Sequence, residues 1–148
     1  MDGEKFIDIK RLIKSKNPKL LKWLPGFAIS YLKRILHQDE INAFLRENKN
    51  KKNKDFSDEV MKYFNINVQV NGIEHIPQKG PVILVMNHPL GGMDGIAFIS
   101  GVMNHRPDLK FIVNDLLMNV ENLKDLFVGV NKHGKNNVSV RNQIKNAF

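Results

Sequence analysis

The chain has 148 residues, 42% of them apolar, a net charge of +8 and no cysteine. That length is enough for one domain with one modest core, and the composition excludes a disordered chain, a disulfide scaffold, a thiolate metal site and a cysteine nucleophile. The charge is uneven: residues 1–54 carry 14 Lys/Arg against 6 Asp/Glu, the whole surplus of +8, and residues 55–148 carry 9 against 9.

A locally basic first third points to an anionic partner, either a membrane surface or nucleic acid. Asp2, Glu4 and Asp8 stand where a secretory signal would need an apolar core, so no such signal is read. The longest nearly apolar run, Trp23–Leu32, contains Pro25, Gly26 and Ser30 and is too short to span a bilayer.

In Phe6–Lys14, Phe6, Ile9, Leu12 and Ile13 share one face at helical spacing while Lys10, Arg11 and Lys14 take the other. Asn17-Pro18 breaks that helix, because Pro18 disfavours a helical Asn17 and has no N–H. Lys19–Leu24 is apolar-rich up to Pro25-Gly26. Phe27–Leu36 is the cleanest amphipathic helix, with Phe27, Ile29, Tyr31, Leu32, Ile35 and Leu36 in one arc and Ser30, Lys33, Arg34 and His37 outside it. Asp39 is placed to cap a helix carrying Ile41, Phe44 and Leu45. Asn48–Lys54 is a basic linker, and a helix near Ser57–Phe64 turns Val60, Met61 and Phe64 inward.

After Asn65 the periodicity changes. Ile66, Val68 and Val70 alternate with polar residues, which predicts a half-exposed strand. Pro77–Pro81 reads as a turn. Val82–Met86 is a continuous apolar run, as in a strand buried on both faces. A helix follows from Asp94 to about His105, interrupted in propensity by Gly95 and Gly101. Lys110–Val113 and Phe127–Val130 read as strands, with a helix over Asp115–Leu126 between them that presents Leu116, Val120 and Leu123 on one face. Gly134–Asn137 is a loop, and a last helix starts near Val138. Strands alternating with helices predict an α/β layer with a largely parallel sheet, whose ligands sit beyond the carboxyl ends of the strands.

The chemistry concentrates at Asn87-His88-Pro89-Leu90-Gly91-Gly92-Met93-Asp94-Gly95. A strand would deliver the His88 imidazole, and a helix start the Asp94 carboxylate, to one tight turn. One reading of His88 is a turn histidine bonded to local backbone, and one reading of Asp94 is a helix N-cap. The other reading joins them. One Asp94 oxygen caps while the other accepts from His88 Nδ1, which leaves Nε2 free to take a proton. No serine or cysteine lies in the turn, so the nucleophile would come from the substrate. The remaining histidines have no metal-ligand spacing, and without cysteine no metal site is expected. No Walker-type phosphate loop is present.

The Asn-His-(x)n-Asp turn resembles the first motif of the phospholipid/glycerol acyltransferases, most closely their hemolysin-like, ornithine-lipid-type branch. Asn17-Pro18-Lys19-Leu20-Leu21-Lys22-Trp23-Leu24-Pro25-Gly26 is similar to that branch's N-terminal region. The commonest family spacing leaves four residues between His and Asp; here five intervene, with Gly91-Gly92 placed to absorb the extra one. The resemblance implies an N-terminal fragment of a larger enzyme: residues 1–64 a basic helical membrane-associating segment, and residues 65–148 the first part of an α/β acyltransferase domain whose acceptor-binding loop lies beyond residue 148. It implies fatty acyl transfer from acyl-CoA or acyl carrier protein, as co-substrate and not cofactor, to a lysophospholipid-type or lyso-amino-lipid acceptor. His88 would be the general base, Asp94 its orienting acid, and Asn87, Gly91, Gly92 and Lys132 would bind substrate. Lys132 is named because Phe127–Gly134 occupies the place of the family's second motif.

The partners it implies are a membrane lipid acceptor and the cytoplasmic face of a membrane, held peripherally. Nucleic acid is not expected, since Phe6, Trp23, Phe27 and Tyr31 lie on apolar helix faces and not among the lysines. A non-catalytic basic module that grips a membrane or nucleic acid, and an inactive fragment, stay open as alternatives.

Overall fold

The computed structural model describes residues 7–130 and residue 145. They fall into two compact units, one spanning residues 1–49 and one spanning residues 50–148.

The first unit is helical. α1 (Ile9–Lys16), α2 (Pro18–Trp23), α3 (Gly26–Ile35) and α4 (Gln38–Glu47) follow one another with short breaks. The start of α1 shows how its orphan N–H groups are satisfied. Asp8 Oδ1 accepts from the backbone N–H of Lys10 at 2.9 Å and of Arg11 at 3.2 Å, and Gln38 Oε1 accepts from Ile9 N–H at 2.9 Å. The buried Asn42 amide reads both backbone groups of Ile7, accepting from its N–H at 2.8 Å and donating to its carbonyl at 2.7 Å. A polar cluster thus holds the chain entry against α4. Asn17 ends α1 and caps α2, accepting from Leu20 N–H at 3.1 Å, with Pro18 at the first helical position. The predicted Asp39 cap is corrected: His37, in the left-handed region at φ 49°, precedes α4, and Asp39 lies inside its first turn.

The second unit joins α5 (Asn53–Tyr63) and α6 (Gly92–Val102) to a two-stranded sheet of β1 (Phe111–Asn114) and β2 (Phe127–Val130). The strands run parallel in the register Phe111 to Phe127 through Asn114 to Val130, so helices and a small parallel sheet make the α/β class read from the sequence. Phe56, Val60 and Met61 of α5, Ile99 and Val102 of α6, Val128 of β2, and Leu123 and Leu126 between the strands form its buried apolar core. Ser100 Oγ of α6 donates to Asp58 Oδ1 of α5 at 2.6 Å, and Lys54 Nζ donates to the other Asp58 oxygen at 2.6 Å. Burial raises the Asp58 pKa, but hydrogen bonds from Lys54 and Ser100, with the charges of Lys54 and Lys62, outweigh it and hold the carboxyl below its ordinary value.

Four expectations are corrected. Phe64 is exposed, because α5 ends at Tyr63 and the chain turns through a left-handed Asn65. Residues 66–70 form no strand among the described residues; Val68 and Val70 lie instead against Gly101 of α6. Residues 82–86 likewise form no strand among the described residues, and Ile83 and Val85 are 70% and 89% exposed, so this segment is not buried on both faces. The predicted helix over 115–126 is two 3₁₀ turns, Asp115–Asn119 and Glu121–Leu126, separated by a non-helical Val120. Leu123 and Leu126, three residues apart, stack on one side of the second turn and are buried. The predicted loop and helix beyond residue 133 lie outside the described residues.

Candidate active site

Residues 81–87 pair with no strand among the described residues, and Pro89–Gly91 form a turn. Residues 82–86 lead to Asn87 and His88, both exposed. Gly91 then turns the chain at φ 64°, ψ −136°, a conformation open essentially to glycine alone, and α6 begins at Gly92. Asp94 falls in the first turn of α6, where the unsatisfied N–H groups and the helix dipole favour a carboxylate.

Asp94 Oδ2 accepts from Leu90 N–H at 2.8 Å. The same oxygen lies 3.3 Å from His88 Nδ1. The carboxylate is therefore not split between two tasks, one oxygen for the helix and one for the imidazole. A single oxygen pins the chain just before the helix and faces the ring. Asp94 acts as the third helical residue reaching back past a side-chain-free cap, a variant of the capping box. The sequence signal for that role is an acid three residues after the turn glycine. At 3.3 Å the His–Asp contact is at ion-pair range but longer than a well-formed charge-assisted hydrogen bond; such contacts commonly tighten when substrate binds. The Asp94 side chain is 18% exposed and that of His88 57%. The imidazole is thus open to a ligand while the carboxylate is sheltered.

Of the other residues singled out in the sequence, Asn87 is exposed beside His88, Gly91 ends the turn after it, and Gly92 opens α6. Lys132 lies outside the described residues. No group of three His, Asp or Glu residues gathers to hold a metal among the described residues. Sequence reasoning passed over two neighbours, His105 and Arg106, which follow α6. His105 Nε2 donates to Ile76 O at 2.7 Å, and Arg106 donates to Pro77 O at 2.5 Å and Gly80 O at 3.1 Å. The available signal was the pair of polar residues just before Pro107, where the helix must stop.

The first unit carries an apolar surface of another kind. α2 and α3 have no buried residue, and Trp23 (87%), Phe27 (78%) and Tyr31 (64%) are largely exposed. Lys19, Lys22, Lys33 and Arg34 lie on the same two helices and form no salt bridge with a described residue. Lys51, Lys52 and Lys54 of the basic linker, by contrast, pair with Glu59, Asp125 and Asp58. No helix among the described residues is long and apolar enough to cross a membrane.

Residues 11–148 match the model of a family described as acyltransferase. The chain is 46% identical over 132 residues to a lyso-glycine lipid O-acyltransferase of Bacteroides thetaiotaomicron, covering 88% of this chain and 48% of that protein. It is 43% identical over 131 residues to a protein of the same name from Phocaeicola vulgatus, covering 87% and 47% respectively. The chain spans about half the length of these curated relatives. No solved structure matches it.

Proposed function

Because the chain belongs to this acyltransferase family, we propose that it carries the acid–base half of an enzyme that moves a fatty acyl group from an acyl thioester to the hydroxyl of a lysolipid. The acceptor class follows the two relatives, both named for O-acylation of a lyso-glycine lipid. The single observation that supports the chemistry is the His88–Asp94 contact at 3.3 Å, within the span that matches the family.

In this reading His88 Nε2 takes the proton of the acceptor hydroxyl as its oxygen attacks the thioester carbonyl carbon. Asp94, fixed by Leu90 N–H, holds Nδ1 and stabilises the imidazolium that forms. The tetrahedral intermediate collapses with cleavage of the C–S bond, and the imidazolium returns the proton to the departing thiolate. Leu90 N–H is already bonded to Asp94, so the oxyanion donors are assigned to the backbone N–H groups of Gly91 and Gly92. Asn87 and Lys132 are assigned to the acceptor head group, and acyl-CoA or acyl carrier protein supplies the acyl chain.

The reading includes a peripheral position on the cytoplasmic face of a membrane. Each basic residue near an anionic leaflet contributes ~1 kcal/mol. Each large apolar side chain such as Trp23 or Phe27 adds about 1.5–3 kcal/mol when fully buried. Together they exceed the marginal anchoring of a single acyl chain. In flotation, the protein is expected to rise with anionic vesicles and less with neutral ones, and Trp23→Ser/Phe27→Ser to stay at the bottom; a floating double variant refutes the surface. The catalytic proposal is tested with the protein expressed from its native reading frame. Labelled acyl-CoA and acyl carrier protein are offered with a panel of lysolipids, and transfer to a lyso-amino-lipid hydroxyl is the expected product. Transfer to none of the panel by folded protein refutes it.

A further inference from the structure

The segment that carries His88 hangs between two anchors, and both belong to α6 and its immediate continuation. At one end Asp94 holds Leu90 N–H and faces His88. At the other, the Arg106 guanidinium, 5% exposed, donates to the carbonyls of Pro77 and Gly80, just before the apolar run 82–86 begins. Asp108 fixes that guanidinium through both oxygens, at 2.7 Å from Nε and 2.9 Å from Nη2. Between the anchors, residues 81–87 pair with no strand among the described residues. The two anchors bracket the run that ends in His88.

The choice of side chain fits that task. A buried cation that merely filled space would be replaced without loss by an apolar residue. A planar fork that meets one carboxylate and two carbonyls at once is available from arginine and not from lysine. We propose that Arg106 is a positioning residue for His88, acting through the Pro77–Gly80 turn to set where the imidazole stands relative to Asp94 and the acceptor. The inference rests on the reading of His88 as general base.

The test compares Arg106→Lys, which keeps the charge and most of the volume, with Asp108→Asn, which loosens the fork from an exposed site and spares the core. Both are made in the protein expressed from its native reading frame. His88→Ala is assayed in parallel, with acyl thioester and lyso-amino-lipid as substrates. A displacement of about 1 Å at a reacting group costs on the order of 10²-fold. Arg106→Lys is therefore expected to lower kcat by about 10- to 10²-fold per folded molecule. Loss of alignment and not of binding leaves KM for both substrates within about 2-fold. Asp108→Asn is expected to fall between it and wild type. Wild-type kcat in folded Arg106→Lys beside an inactive His88→Ala overturns the positioning role alone. So does a loss of activity that only tracks the unfolded fraction in both variants. Wild-type rate in His88→Ala overturns the general-base reading, and the positioning role with it.

Discussion

Two glycines of α6 are expected to respond to alanine with opposite signs. An added Cβ at Gly95 meets nothing within 4 Å, whereas at Gly101 it would lie 2.6 Å from Val70 Cγ2 and 3.1 Å from Val68 Cγ1. Both positions are inside the same helix. Glycine-to-alanine therefore brings a similar gain in helix propensity at each, roughly 0.8–1.0 kcal/mol. At Gly101 the new methyl overlaps carbon atoms that normally sit about 3.5–4.0 Å apart. Relief requires an off-rotamer Val70 or a shift of residues 66–70 away from α6. Such overpacking costs about 1–3 kcal/mol. The propensity gain cancels between the two sites, so the difference between the variants isolates the clash. Gly95→Ala is expected to be stabilised by about 1 kcal/mol. Gly101→Ala should lie about 1–3 kcal/mol below it, near or under wild type. Urea unfolding followed by circular dichroism, with unchanged m, measures both. Equal midpoints for the two variants would show that the 66–70 segment does not lie on Gly101.

Two further outcomes follow from the site and its supports. In Asp94→Asn the amide still accepts from Leu90 N–H, but the charge beside His88 is gone. At 3.3 Å a carboxylate attracts an imidazolium by about 1–5 kcal/mol for effective dielectrics of ~80 to ~20. The exposure of His88 favours the weak end, so kcat is expected to fall about 10- to 10²-fold with little change in stability; an unaltered kcat would detach Asp94 from the chemistry. Acid stability is expected to depend on Asp58. A carboxyl whose folded pKa is depressed lends stability that is fully present above its ordinary value of 3.8 and is lost as pH falls through the depressed one. Thermal midpoints of wild type should therefore drop below about pH 4 more steeply than those of Asp58→Asn; parallel curves would contradict the Lys54–Asp58–Ser100 link.

Much of this arrangement is legible in the sequence because local chemistry decides it. Asn17-Pro18 ends one helix and starts the next, and the spacing of Phe27, Tyr31 and Ile35 writes an amphipathic helix. The break at Gly91-Gly92 marks the turn that brings His88 to Asp94. What the sequence left hidden depends on partners distant along the chain. An apolar run such as Val82–Met86 is a buried strand only if neighbours cover it, and nothing in its own residues reports whether they do. Val120, at φ −86° and ψ 87°, interrupts a helical pattern, and the tighter second turn that follows buries Leu123 and Leu126. Arg106 makes its contacts with residues 77 and 80, which periodicity cannot foresee. The surplus of lysine also misleads when only counted. Lys51, Lys52 and Lys54 are matched by acids within their own unit, whereas Lys19, Lys22, Lys33 and Arg34 of the earlier helices form no salt bridge among the described residues.

The most direct test of the central claim is the rate of acyl transfer by His88→Ala against wild type, both expressed from the native reading frame and shown to be folded. General-base assistance contributes ~10²–10⁴-fold, and its loss is expected to reduce transfer to the lysolipid hydroxyl by that factor while far-ultraviolet circular dichroism and vesicle binding stay as in wild type. A folded His88→Ala protein that transfers at the wild-type rate would contradict the account.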